Sequence, residues 1–274
     1  MGRWKDAIRD AEHAAELDPQ NPFVINELIE SYTSVRRFKE AEDKAQQTIK
    51  AAVTRGGYLW TLWTEALLGE GRVDDARAVT EKAPDDMSRL VELIWIALYS
   101  RDYAHASELI SSARSMTGST WPFEGFDQDL FAGLIARARG DSSEARKYFE
   151  QGRNHVVALL AEKPNDASLM ANLSMADAGL GHKELALSEA RRAVELCPVS
   201  HDAVDGPGYQ AMVAMVYAWN GDYDSAIAEL QKTVILPRSP SWGELRFSPF
   251  WDELRHDSRF DSIIAQAAQP PVYN

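Results

Sequence analysis

Only one cysteine, Cys197, occurs among 274 residues. A single thiol excludes an internal disulfide and any cysteine-based zinc cluster. Histidine is also sparse. The six, at positions 13, 105, 155, 182, 201 and 256, form no His-x-x-x-His or His-Glu pair. His201, near Asp202 and Asp205, reads as part of a polar loop that caps the following helix. No metal or other cofactor is therefore expected. Long apolar runs are missing: none approaches the ~18 residues of a membrane span. The opening residues lack the apolar core of a signal peptide. Positive charge is scarce, with 29 Lys and Arg against 42 Asp and Glu, a net −13. That balance disfavours direct contact with nucleic acid or an anionic membrane, and is compatible with a basic partner or with plain solubility. A phosphate-binding loop, a Gly-x-Ser-x-Gly elbow and any kinase or cyclase signature are likewise lacking, so the chain is expected not to be an enzyme. A cytoplasmic location is expected, or an extracytoplasmic one if a membrane helix lies upstream.

What is present is a repeat. Gly-x-aromatic-x-x-Ala or a close variant occurs as GRWKDA (2–7), GRVDDA (71–76), GDSSEA (140–145), GHKELA (181–186) and GDYDSA (221–226). RRFKEA (36–41) and RDYAHA (101–106) are looser copies with arginine in place of the glycine. The anchor alanines 7, 41, 76, 106, 145, 186 and 226 are spaced by 34, 35, 30, 39, 41 and 40 residues. Each anchor lies within a helix, turn, helix pattern, and periods of this size predict a solenoid. Small side chains let two helices approach closely. Gly turns the chain through a left-handed conformation. Pro19 and Pro198 end second helices. VVALLAEKP (156–164) continues the helix before it and predicts an over-long second helix. RSMTGSTWPFEG (114–125) has the breakers of an insertion loop.

The 34-residue unit and these signatures resemble the tetratricopeptide repeat. The resemblance covers nearly the whole chain and implies an all-α, right-handed superhelical solenoid of antiparallel helix hairpins with a C-terminal helical cap. Repeats are expected over 1–238, the first truncated to its second helix. Capping helices are expected over 239–268 and a frayed tail over 269–274. Residues 162–264 resemble, more narrowly, the C-terminal repeat region of multidomain bacterial signalling proteins that carry a serine/threonine kinase, an adenylate cyclase or a winged-helix regulator. The closing pattern of that region maps onto Leu245, Arg246, Pro249, Trp251, Asp252, Leu254, Arg255, Asp257, Arg259 and Phe260, with Ser248, Glu253 and Ser258 as departures.

The resemblance implies a non-catalytic scaffold that binds a protein or peptide in its concave groove, and a regulatory or sensing part of a larger protein. The register of the first helices places Asn26, Glu30, Tyr58, Leu62, Glu65, Glu92, Trp95, Tyr99, Phe131, Met175, Met215 and Trp219 in that groove. Glutamates beside Met and aromatic side chains suit a partner with basic residues and apolar anchors. The first helix, MGRWKDAIRDAEHAAELDPQNP, has an apolar face of Trp4, Ile8 and Ala11 with nothing before it to cover it. Either the natural chain extends upstream, or that face pairs with a second copy as a homodimer.

Overall fold

Alanine at the repeat anchors lets each pair of helices pack almost backbone to backbone. Ala41, Ala76, Ala106, Ala145, Ala186 and Ala226 are all buried. In the computed structural model, residues 2–51, 57–115 and 128–274 are described. Most of the expected insertion loop (116–125) lies outside them. Among the described residues every regular element is helical. After α1 (Trp4–Leu17), six hairpins follow: α2 (Pro22–Ser34) with α3 (Phe38–Lys50), α4 (Tyr58–Gly69) with α5 (Val73–Thr80), and α6 (Met87–Tyr99) with α7 (Tyr103–Ser115). Next come α8 (Gln128–Ala138) with α9 (Ser142–Glu162), α10 (Ala167–Leu180) with α11 (Lys183–Leu196), and α12 (Gly206–Trp219) with α13 (Tyr223–Thr233). The 21-residue α9 is the over-long second helix expected from 156–164.

The hairpin turns follow one local rule. A left-handed residue reverses the chain, and an aspartate often caps the next helix. Gly140, Gly181 and Gly221 have φ near +80°, and the carboxylates of Asp141 and Asp222 accept backbone N–H bonds at the starts of α9 and α13. In two turns the left-handed residue is arginine: Arg36 (φ 61°) and Arg101 (φ 60°). A side chain at such an angle costs about 1 kcal/mol or more, so these arginines need a compensating role.

The remaining elements are α14 (Trp242–Phe247), a 3-10 segment (Pro249–Leu254) and α15 (Ser258–Ala267). Helix α15 packs on α13 and covers the last hairpin with Phe260, Ile263 and Ile264. The stretch before it does something else. Residues 234–255 run back along the row of hairpin turns, meeting them in chain order. Arg36 of the first full hairpin donates to Val234 O (2.7 Å), Ser239 Oγ (2.8 Å), Pro240 O (3.2 Å) and Gln269 O (3.0 Å). Gly243 lies against Leu68 and Gly71 in the second. Arg101 of the third grips Asp252.

This path also closes the N-terminal end. Trp4 and Ile8 are only 8% and 4% exposed, packed among Tyr32, Val35, Ala203 and Tyr273. Ala11 is half-buried against α2. The expectation of an open Trp4/Ile8/Ala11 face is thus corrected: α2 and the chain's own C-terminal residues cover it. Ala7, the first anchor, is exposed instead. The last residues are not frayed, since Lys5 N donates to Asn274 O (2.9 Å) and Val272 N to Ile235 O (2.7 Å).

Candidate functional site

First helices α2 to α12 line the inside of the solenoid, and α14 with the 3-10 segment lies across their C-terminal ends. Two features result: a bound stretch of the chain's own backbone, and a cavity behind it.

Phe250 is the centre of the bound stretch. Its ring stacks on Trp219 at 6.0 Å between centroids and tilts against Trp95 at 5.9 Å. The Trp219 indole N–H donates to Phe250 O (3.0 Å), and the Arg137 guanidinium lies 4.1 Å from the Trp219 ring centroid. Arg101 binds both Asp252 oxygens, at 2.6 and 2.7 Å, and also donates to the Tyr103 hydroxyl (3.0 Å). Such a two-pronged bond is among the stronger and more directional polar contacts. Arg137 pairs with Glu253. Arg255 donates to Asp252 Oδ1 (2.7 Å) and to Ser248 O (2.9 Å), which holds the 3-10 turn in shape.

The left-handed arginines are therefore clamps. Arg36→Gly or Arg101→Gly removes the backbone strain of the turn, yet each is expected to loosen residues 236–256. Cleavage there under limited proteolysis should speed up and Tm should fall. A change in Tm in the stabilising direction, as relief of strain alone would give, would show that the side chains clamp nothing.

The cavity measures about 540 Å³ and is walled by α4, α6, the start of α12 and the bound stretch. Glu65, Glu92 and Glu244 line it with Trp95, Tyr99, Tyr209, Phe250 and the cations Arg36 and Arg238. Burial pushes the Glu65 and Glu244 carboxyls up to about 7. Much of the Glu65 surface is reachable by solvent, but it faces the lumen rather than bulk water, so loss of hydration decides its titration. Glu92 is 5% exposed and is raised well above the carboxylate range, first by burial and then by the Glu65 charge. Burial dominates at Arg36 too, and brings its guanidinium down to about 10.

A pH dependence follows. Carboxyls raised in the folded state bind more protons there than in the unfolded chain. Their contribution is whole below about pH 4.5, the unfolded range, and is lost as pH rises through about 7. Thermal unfolding is expected to show a Tm several degrees higher at pH 5.5 than at pH 8.5. Asp257, held at about 2 by Arg259, acts in the opposite sense only under stronger acid. A Tm that rises towards pH 8.5 would contradict the reading of these carboxyls.

Of the residues expected in the groove, Glu65, Glu92, Trp95 and Tyr99 are brought together at the cavity. Trp219 lies beside it under Phe250. Glu30, Tyr58 and Asn26 continue the inner face towards the N-terminal end, with the Tyr58 hydroxyl bonded to Glu30. Leu62, Phe131, Met175 and Met215 are buried in the hairpin cores and have no surface for a ligand. Their apolar type reflects packing between neighbouring helices. Sequence reasoning missed Arg36, Tyr209, Arg238, Glu244 and Phe250. For Arg36 a signal existed, since an arginine in the slot of a turn glycine is out of place. Tyr209 lies in the first turn of α12, and Arg238, Glu244 and Phe250 come from the chain's return path, which periodicity does not record.

Among the described residues no helix is long and apolar enough to cross a membrane. None of them form a cluster of three or more His, Cys, Asp or Glu that could hold a metal ion. No family model and no curated protein matches the chain by sequence. Solved structures do match its fold. A chain of the crystal structure of the APC/C hetero-tetramer Cut9–Hcn1 aligns at 15% identity with a TM-score of 0.54, over 97% of this chain and 46% of that one. The present chain thus spans about half the length of that structure. YrrB, a TPR protein with an unusual peptide-binding site, aligns at 15% identity over 69% of this chain and 90% of that one, TM-score 0.35. Yeast Tom70 aligns at 15% identity over 97% and 65%, TM-score 0.30. The first likeness shows the fold, an all-α helical-repeat solenoid.

Proposed function

We propose that this chain is a non-catalytic protein-interaction scaffold whose concave side docks a short linear segment of a partner. One observation supports the reading: the C-terminal ends of the first helices already hold such a segment, the chain's own residues 248–253. That occupant uses an aromatic anchor between two tryptophans and two acidic residues on Arg101 and Arg137. A partner that competes for the same place would present an aromatic residue followed by acids. This differs at Arg101 and Arg137 from the basic partner expected from the groove glutamates. A preformed groove on a rigid stack of helices loses little conformational entropy on docking, which favours affinity from modest contacts. The similarity of 162–264 to the repeat regions of bacterial signalling proteins supports a regulatory place within a larger signalling protein.

The test is a labelled peptide with the sequence of residues 246–256, followed by fluorescence anisotropy. The native chain, with its groove occupied, should bind it weakly. A Phe250→Ala, Asp252→Ala double variant that keeps its helical circular dichroism should bind it clearly better. If the opened, folded variant ignores the peptide, the concave side is not a docking groove.

A further inference from the structure

The cavity behind residues 244–250 has a charge imbalance that the docking of a peptide on the turns does not use. Three carboxylates, Glu65 on α4, Glu92 on α6 and Glu244 on α14, line one space of about 540 Å³. Two cations share it, and each is engaged elsewhere or with one carboxylate. The Arg36 guanidinium hydrogen-bonds four acceptors of the C-terminal stretch. Arg238 acts on Glu65, whose carboxyl it lowers against the effect of burial. Glu92 has no counterpart: it lines the cavity at 5% exposure with no hydrogen bond or ion pair to any described residue. A carboxylate so placed is unfavourable unless something of opposite charge meets it or it takes up a proton.

The walls say what kind of charge fits. Trp95 and Tyr99 stand one and two turns beyond Glu92 on α6, and Phe250 closes the space opposite. Aromatic faces attract organic cations and accept aliphatic carbon. A hard metal dication would need six or more oxygen ligands or a compact cluster of donors, and the described residues supply no such cluster. The volume falls in the range of ligand pockets, about 300–1,000 Å³, and is far larger than one water needs.

We propose that this cavity binds a small organic cation, a primary ammonium or guanidinium on a short aliphatic body, with its charge against Glu92 and Glu65 and its body along Trp95, Tyr99 and Phe250. The site does not rest on the peptide-docking reading, but it excludes that docking while filled: it shares Trp95 and needs Phe250 in place as a wall. A free diamine and a lysine side chain share this chemistry; a space walled on one side by the chain's own residues 244–250 favours the free molecule.

The test uses the full chain and cadaverine, with calorimetry and tryptophan fluorescence as readouts, since Trp95 is in the wall. Saturable binding of one cadaverine per chain is expected, with Nα-acetyl-lysine amide weaker and 1-pentanol and glutarate without effect. Glu92→Gln should weaken cadaverine about tenfold or more, the usual scale for losing a charged partner. Glu27→Gln, on the exposed side of α2, should leave it unchanged. Glu92→Gln should also keep or raise Tm, as it removes a buried carboxyl that no described residue partners. If that variant unfolds, Glu65→Gln reads the same contact from α4. Binding that is absent, or equal in the Gln variants, or matched by 1-pentanol, would overturn the proposal. Tighter binding of the lysine amide than of cadaverine would overturn its assignment to a free small molecule.

Discussion

Gly243→Ala is expected to dislodge the C-terminal stretch from the solenoid. Gly243 is the point where two backbones touch. A Cβ there would strike the Leu68 carbonyl oxygen and come within 2.7 Å of Gly71 N and 3.0 Å of Gly71 Cα. That oxygen already accepts the Gly71 N–H bond that shapes the turn between α4 and α5 (2.9 Å). Neither side can yield as a flexible side chain would, because both are main chain. Gly71 is constrained in turn: it is left-handed, and a Cβ on it would meet the Trp242 and Phe247 rings. Overpacking of this kind costs about 1–3 kcal/mol and sometimes more, and here the loss falls at the upper end. Release of α14 would bare Leu245, Trp251 and the tryptophans under Phe250 together. Limited proteolysis should then cut within 236–256, and tryptophan emission should shift to the red. Gly208→Ala is the control. It lies in the first turn of α12 with nothing within 4 Å of a built Cβ and no positive φ. Its Tm should hold or rise slightly, since alanine suits a helix better. Equal behaviour of the two variants would mean that α14 does not sit against the α4–α5 turn.

Phe149→Ala is expected to be the most destabilising single truncation in the second half. The ring is fully buried, tilts against Trp219 at 6.2 Å, and occupies space made by glycines on two neighbouring helices. A Cβ on Gly133 would lie 2.8 Å from the ring, and one on Gly179 would overlap it. Those glycines weaken α8 and α10 by about 0.5–1 kcal/mol each relative to alanine, which the ring's burial more than offsets. Removing the ring leaves a cavity that rigid helices cannot close, for a loss of about 3–5 kcal/mol. At about 2–4 °C per kcal/mol for a chain of this size class, a fall in Tm of about ten degrees should be measured by calorimetry. Gly179→Ala should also destabilise, by collision. Adding it to Phe149→Ala should cost little more, because the collision partner is gone. A simple sum of the two losses would show that ring and glycine do not touch.

The hairpins were legible because their causes are local. Gly140-Asp141 and Gly221-Asp222 announce a left-handed turn and a helix cap within two residues, and the buried alanines recur on one helical face. The over-long α9 could be read from an unbroken pattern. The candidate site was legible only in part. Glu65, Glu92, Trp95 and Tyr99 stood out as polar or aromatic residues at the lumen side of first helices. Phe131 and Met215 occupy similar register positions but are buried, since the spacing between repeats sets how far each helix turns towards its neighbours. Residues 242–254 read as a cap because they are apolar and terminal. Leu245, Trp251 and Leu254 are indeed buried, while Trp242, Phe247 and Phe250 are half-buried along the row of hairpin turns.

From its sequence alone this protein is an acidic, all-helical repeat chain, because turn glycines, capping aspartates and small anchor residues act over a few positions. Tertiary structure decides which inner residues face a cavity, that Arg36 and Arg101 hold a distant stretch, and that the N-terminal apolar face is covered. Those outcomes depend on contacts between residues some 150 to 270 positions apart, such as Arg101 with Asp252 and Lys5 with Asn274. Small rotations summed over six hairpins bring these residues together, and no local pattern carries that sum.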